Sequence, residues 1–139
     1  MVANVDPIYS RTADIQWATV LVTAGNTSKD LTAGTSYLVF TADAAEGGWV
    51  GSLIARAAGT NPATVLRVFI NNGSTTGTAA NNILRYELTL PATTINEAAQ
   101  LAPYELALNI ALPPGYKIYV TIGTAASPGY YVSLNGGKY

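Results

Sequence analysis

At 139 residues the chain has the length of one domain, able to bury roughly two thirds of the surface its unfolded form exposes. Charged residues make up 11% of it, against about 25% in an average soluble domain, and the formal charge is −1, which excludes the Lys and Arg clusters of a nucleic-acid binder. Cysteine and histidine are both missing, which removes disulfides, thiol chemistry, the commonest metal ligand and the commonest general base together.

Residues 1–13 include Asp6, Pro7 and Arg11, lack the apolar run of a secretory signal, and read as an extended N-terminal arm ahead of one domain over 14–139. Val2, Val5, Ile8 and Tyr9 are the side chains with which that arm is expected to pack on a neighbouring subunit. Strands are then expected over Ile15–Thr23, Ser36–Thr41, Trp49–Ala57 and Ala63–Asn71. Turn residues separate them: Gly25-Asn26, Ala33-Gly34, Gly47-Gly48, Gly59-Thr60-Asn61-Pro62 and Asn72-Gly73.

The second half alternates with period two. Leu84, Tyr86, Leu88 and Leu90 share one expected face, as do Leu106, Leu108, Ile110 and Leu112, then Tyr116, Ile118, Val120 and Ile122, and finally Tyr130, Val132 and Leu134. Between the first two of these runs only Thr94–Leu101 looks helical, with Asn96 as its cap. No stretch approaches the roughly 20 apolar residues that span a bilayer as a helix. The expected fold is all-β: a single-domain antiparallel β-sandwich of about eight strands, jelly-roll-like. A sheet with one apolar face must bury it against a second layer, and the connections at Gly73–Asn82 and Pro91–Pro103 are long enough to cross between layers.

Candidate chemistry is sparse. Glu87, Glu97 and Glu105 are the carboxylates available for a glycosidase pair, but Glu87 and Glu105 fall on outward faces, and Glu87 is expected to pair with Arg67 or Arg85. Asp43 and Glu46 form a turn with too few oxygens for a dedicated calcium loop. No glycine run has phosphate-cradling spacing, and no serine or threonine has an evident activating base. No catalytic residue, cofactor or metal ligand is therefore expected, and the chain is not expected to be an enzyme. The aromatics remain. Trp49, Tyr119, Tyr131 and Tyr139 fall at outward, turn or terminal positions, where aromatics anchor interfaces or stack on sugars; Trp17 and Trp49 divide evenly between core and surface readings.

The run Leu112-Pro113-Pro114-Gly115-Tyr116-Lys117-Ile118-Tyr119-Val120-Thr121-Ile122-Gly123-Thr124, with Gly129-Tyr130-Tyr131-Val132 and the Gly136-Gly137-Lys138-Tyr139 ending, resembles the C-terminal part of small tailed-phage virion proteins. The stretch Tyr37–Ile70, with its Gly-Gly-Trp hairpin and Val-Leu-Arg-Val-Phe-Ile strand, is compatible with the same group. The resemblance implies a β-sandwich subunit that decorates or cements a capsid, or sits at a vertex or fibre base, with no catalytic residues to carry over. The expected partners are the major capsid or other virion proteins and further copies of the chain, a trimer foremost, with no nucleic acid and no membrane. The expected location is the virion, after synthesis in the host cytoplasm. The alternative is a carbohydrate- or receptor-binding module of a phage fibre or tail.

Overall fold

The computed structural model describes residues 10–139. Eight strands follow in chain order: β1 (Thr12–Trp17), β2 (Tyr37–Thr41), β3 (Gly48–Ala57), β4 (Thr64–Asn71), β5 (Asn82–Leu90), β6 (Tyr104–Leu112), β7 (Lys117–Ile122) and β8 (Tyr130–Lys138). They form two four-stranded antiparallel sheets, sheet A in the order β1-β8-β3-β6 and sheet B in the order β2-β7-β4-β5. Within these, β1 pairs with β8, β2 with β7, β3 with β6 and β4 with β5. This nesting is a long hairpin with its tip at β4–β5, rolled so that alternate pairs fall in opposite sheets: the jelly roll.

The alternation read from the sequence builds the interlayer core. Val50, Leu53 and Ala55 of β3 and Tyr130, Val132 and Leu134 of β8 face Leu66 and Val68 of β4 and Ile118, Val120 and Ile122 of β7, all buried in one cluster with Phe40 of β2. One strand departs from its expected pattern. The β4–β5 register passes from Val68–Tyr86 to Phe69–Leu84, so Arg85 is an extra residue on β5. Leu84 consequently aligns with Phe69 and stands outside the core cluster that Tyr86 and Leu88 join.

The first strand also differs from expectation. Pairing begins at Thr12, and the Arg11 amide already donates to Lys138 O at 2.7 Å, so residues 11–13 of the expected arm belong to sheet A. The strand ends at Trp17 because the chain then bends, returning to β8 only at the Val22–Tyr130 bridge. Thr94–Leu101 is not a helix: an Asn96–Ala99 bridge closes a turn, with Asn96 Oδ1 accepting the Ala98 amide at 2.8 Å. The side chain of Asn96 thus stabilises a tight turn, which competes with helix start.

The segment 24–36 folds over the outer face of sheet B. Asn26, buried, donates from Nδ2 to Ala33 O and Thr35 O and accepts the Ser28 amide, which closes the loop on itself. Arg67 fastens the loop to the sheet, donating from Nη1 to Asn26 O (3.2 Å) and from Nε to Glu87 (2.9 Å). Phe69 and Leu31 are buried outside the main core cluster.

Among the described residues, Tyr130 Oη and Thr121 Oγ1 are the buried side-chain polar atoms without a hydrogen-bond partner. Burial pushes the Tyr130 phenol above its ordinary value, with Tyr104 adding to the shift. An unpaired hydroxyl in a core costs stability, so Tyr130→Phe is expected to raise the unfolding free energy by about 1 kcal/mol. Urea denaturation of the two proteins reads this directly; a less stable variant would mean that the hydroxyl has a partner.

Candidate functional site

The two outer faces of the sandwich differ in what covers them. That of sheet B lies under the 24–36 loop, whereas no described segment folds over the middle of sheet A, which carries the large exposed apolar side chains of β1 and β8. The cause is local to β1. Gln16 points across to the other sheet, its Nε2 donating to Thr41 O at 2.9 Å and its Oε1 accepting the Thr41 amide at 2.8 Å. By the period of two, Ile15 and Trp17 must then point outward, and they are 59% and 61% exposed. The register sets Trp17 beside Ser133, Ser133 beside Ile54, and Tyr131, also 61% exposed, beside Arg56. Trp17 and Tyr131 are therefore diagonal neighbours across β1 and β8. Ser52, Ala107 and Ala111 keep the middle of the face low and neutral, and the exposed Arg56 and Glu105 place its charges toward one end.

At one end of this face the β5–β6 connection folds back and forms a cleft of about 280 Å³ with Arg56, Ile95, Glu97, Gln100, Leu101 and Tyr131 in its lining. A buried polar network holds that connection. Asn61, 2% exposed, exchanges main-chain hydrogen bonds with Thr93, while its side chain donates to Gly129 O (2.8 Å) and accepts the Gly129 amide (2.9 Å). Thr93 Oγ1 donates to Gly59 O at 2.8 Å, and the Ile95 amide donates to Thr60 Oγ1 at 3.0 Å. Three connections, β3–β4, β5–β6 and β7–β8, are thus tied at one point, which gives the cleft fixed walls.

Of the aromatics singled out in the sequence, Tyr131 stands exposed at the cleft. Trp49 is half-buried on the same outer face at the opposite end of β3, and its ring lies over Gly51, where a Cβ would come within 2.9 Å of it. Tyr119 is half-buried on the other sheet, in register with Phe69 and Leu38, so it belongs to a different surface. Tyr139 is half-buried at the end of β8, and its main-chain oxygen accepts from Arg11 at 3.0 Å. Val2, Val5, Ile8 and Tyr9 lie outside the described residues. Trp17, left undecided by the sequence, turns out to be the most prominent surface aromatic together with Tyr131; the alternation of Asp14 and Gln16 with Ile15 and Trp17 would on its own turn the apolar pair inward, and the Gln16–Thr41 bonds reverse it.

The carboxylates are placed apart. Glu87 is bonded to Arg67 on the outer face of sheet B, Glu105 is on β6 of sheet A, and Glu97 is at the cleft. Asp43 accepts the amides of Ala45 and Glu46, which hold its carboxyl below the ordinary range with help from Lys138, and Glu46 pairs with Arg11 at 2.7 Å. Both residues therefore brace the β2–β3 turn. Among the described residues no three of His, Cys, Asp and Glu converge as metal ligands, and no helix is long and apolar enough to cross a membrane. Comparison with family models, curated proteins and solved structures yields no match to this chain.

The cleft walls rest on Asn61. Asn61→Ala deprives the buried Gly129 amide of its acceptor and is expected to cost about 2 kcal/mol of stability. It is also expected to speed amide exchange in residues 91–101, read by hydrogen–deuterium exchange; unchanged exchange there would mean that other contacts hold the connection.

Proposed function

We propose that this chain is a non-enzymatic structural subunit of a virus particle, of the capsid decoration or cement kind, which works through contacts made by the outer face of sheet A. The observation that carries this reading is the adjacency of Ile15 and Trp17, both more than half exposed, on a sheet face that the described residues leave open while the 24–36 loop lies over the other. A large exposed aromatic beside an aliphatic, with the charges of Arg56 and Glu105 set toward one end of the face, is the composition of an interface centre, where tryptophan contributes out of proportion to its area.

Three of the four edge strands, β2, β5 and β6, support face-to-face contact over strand addition. Register shifts interrupt β2 at Leu38/Phe40 and β5 at Arg85, and β6 carries Asn109 with φ of +49°. Such irregularities keep an open edge from templating another strand. The jelly roll serves capsid subunits and lectins alike, so it is compatible with this role without proving it. The resemblance of residues 112–124, 129–132 and 136–139 to tailed-phage virion proteins supports a tailed-phage particle, on which further copies of the chain and the major capsid protein would be the partners and the virion the location.

The test is solution molar mass by light scattering behind size exclusion, for the wild type and for Trp17→Ala. A closed oligomer, a trimer foremost, is expected, and removal of the indole is expected to weaken it by about 30-fold or more. A wild type that is monomeric at every concentration would contradict self-assembly through this face.

A further inference from the structure

We infer that the cleft between the β5–β6 connection and the end of sheet A binds one pyranose residue of a glycan, stacked on Tyr131. This goes beyond the coat reading, and because Tyr131 is diagonal to Trp17 it places the subunit contact on Ile15 and Trp17 and the sugar at the cleft end of the same face.

The lining has the chemistry that a sugar ring requires. A pyranose presents a face of C–H groups and a rim of hydroxyls, each of which both donates and accepts. Tyr131, 61% exposed, supplies a flat ring at the cleft. Arg56, in register with Tyr131 on the neighbouring strand, supplies donors only; Glu97 supplies acceptors only; Gln100 supplies both. Neither Arg56 nor Glu97 takes part in any of the ion pairs among the described residues, so both charges are available to a ligand. Ile95 and Leu101 add apolar wall. A cleft of about 280 Å³ is at the small end of ligand sites, which suits a single ring and not an extended peptide.

The base of the cleft is fixed before any ligand arrives. The Asn61 and Thr93 bonds that tie the β5–β6 connection to its neighbours are buried, so the ordering that opposes binding is confined to the exposed side chains of Arg56, Glu97 and Gln100. The carboxylate of Glu97 and the net charge of −1 disfavour a phosphate-bearing ligand, which separates this site from one for a nucleotide that would use the same aromatic ring.

The probes are the methyl α- and β-pyranosides of glucose, galactose, mannose and N-acetylglucosamine, titrated into the ¹⁵N-labelled full chain and followed by amide chemical shifts. At ordinary ligand efficiency a pyranoside of about 13 non-hydrogen atoms binds with a dissociation constant of about 1 mM, so tens of millimolar saturate the site. The expected result is that at least one glycoside shifts the amides of Arg56, Ile95, Glu97, Gln100 and Tyr131 together. Tyr131→Ala abolishes the response with the remaining spectrum unchanged, and Tyr131→Phe retains it. The inference is overturned if no glycoside moves these amides, or if the response survives Tyr131→Ala. Self-association is read separately by molar mass, so loss of this site and failure of the coat reading give different results.

Discussion

The structure depends on one constraint: two four-stranded sheets, in a chain with no cysteine to form a disulfide, are held together by the apolar faces they turn toward each other. The nesting of β1 with β8, β2 with β7, β3 with β6 and β4 with β5 satisfies it by distributing each half of the chain over both layers. Removal of one strand from either sheet would therefore open the core to solvent along its length. Phe40, Leu53, Leu66, Ile118, Ile122 and Leu134, all fully buried, are the side chains on which the two layers close.

The same rolling leaves the two outer faces unequal. The connection between β1 and β2 must cross from one sheet to the other; it follows β8 as far as Val22 and then lays residues 24–36 over sheet B, where Arg67 and Asn26 fasten it. Among the described residues sheet A receives no such cover, and the Gln16 clamp to Thr41 commits Ile15 and Trp17 to its outside. The site thus follows from topology: a crossover that covers one face exposes the other. At the end of that face, Asn61 gathers three connections into the wall of a cleft.

Much of this was legible in the sequence. Strict alternation placed β5, β6 and β7 within a residue of their bounds; of the two long connections expected to cross between layers, 91–103 does, whereas 73–82 closes the β4–β5 hairpin within sheet B. What the period of two does not reveal is an extra residue: Arg85 reads as one more outward position, yet as a bulge it transfers Leu84 from the core row to the row of Phe69. Gly136 and Gly137 lie beyond the Tyr130–Leu134 alternation yet sit within β8, between β1 and β3, where a side chain on Gly136 would collide with the main chain of Trp49. Asn61 reads as a turn residue before proline; its role as a hub comes from Thr93 and Gly129, which are distant in sequence and brought to it only by the fold. The exposure of Trp17 was undecided because the sequence does not say which face of β1 meets the other sheet, a choice made by the bonds of Gln16.

The most direct measurement of the central claim, that the open face of sheet A is the working surface, is the fluorescence of Trp17 in a Trp49→Phe background as a function of protein concentration. The account predicts emission characteristic of a water-exposed indole at high dilution, moving to shorter wavelength and becoming shielded from acrylamide as subunits associate. Emission that is already that of a buried indole at high dilution, or that stays water-exposed while the molar mass rises, would contradict it.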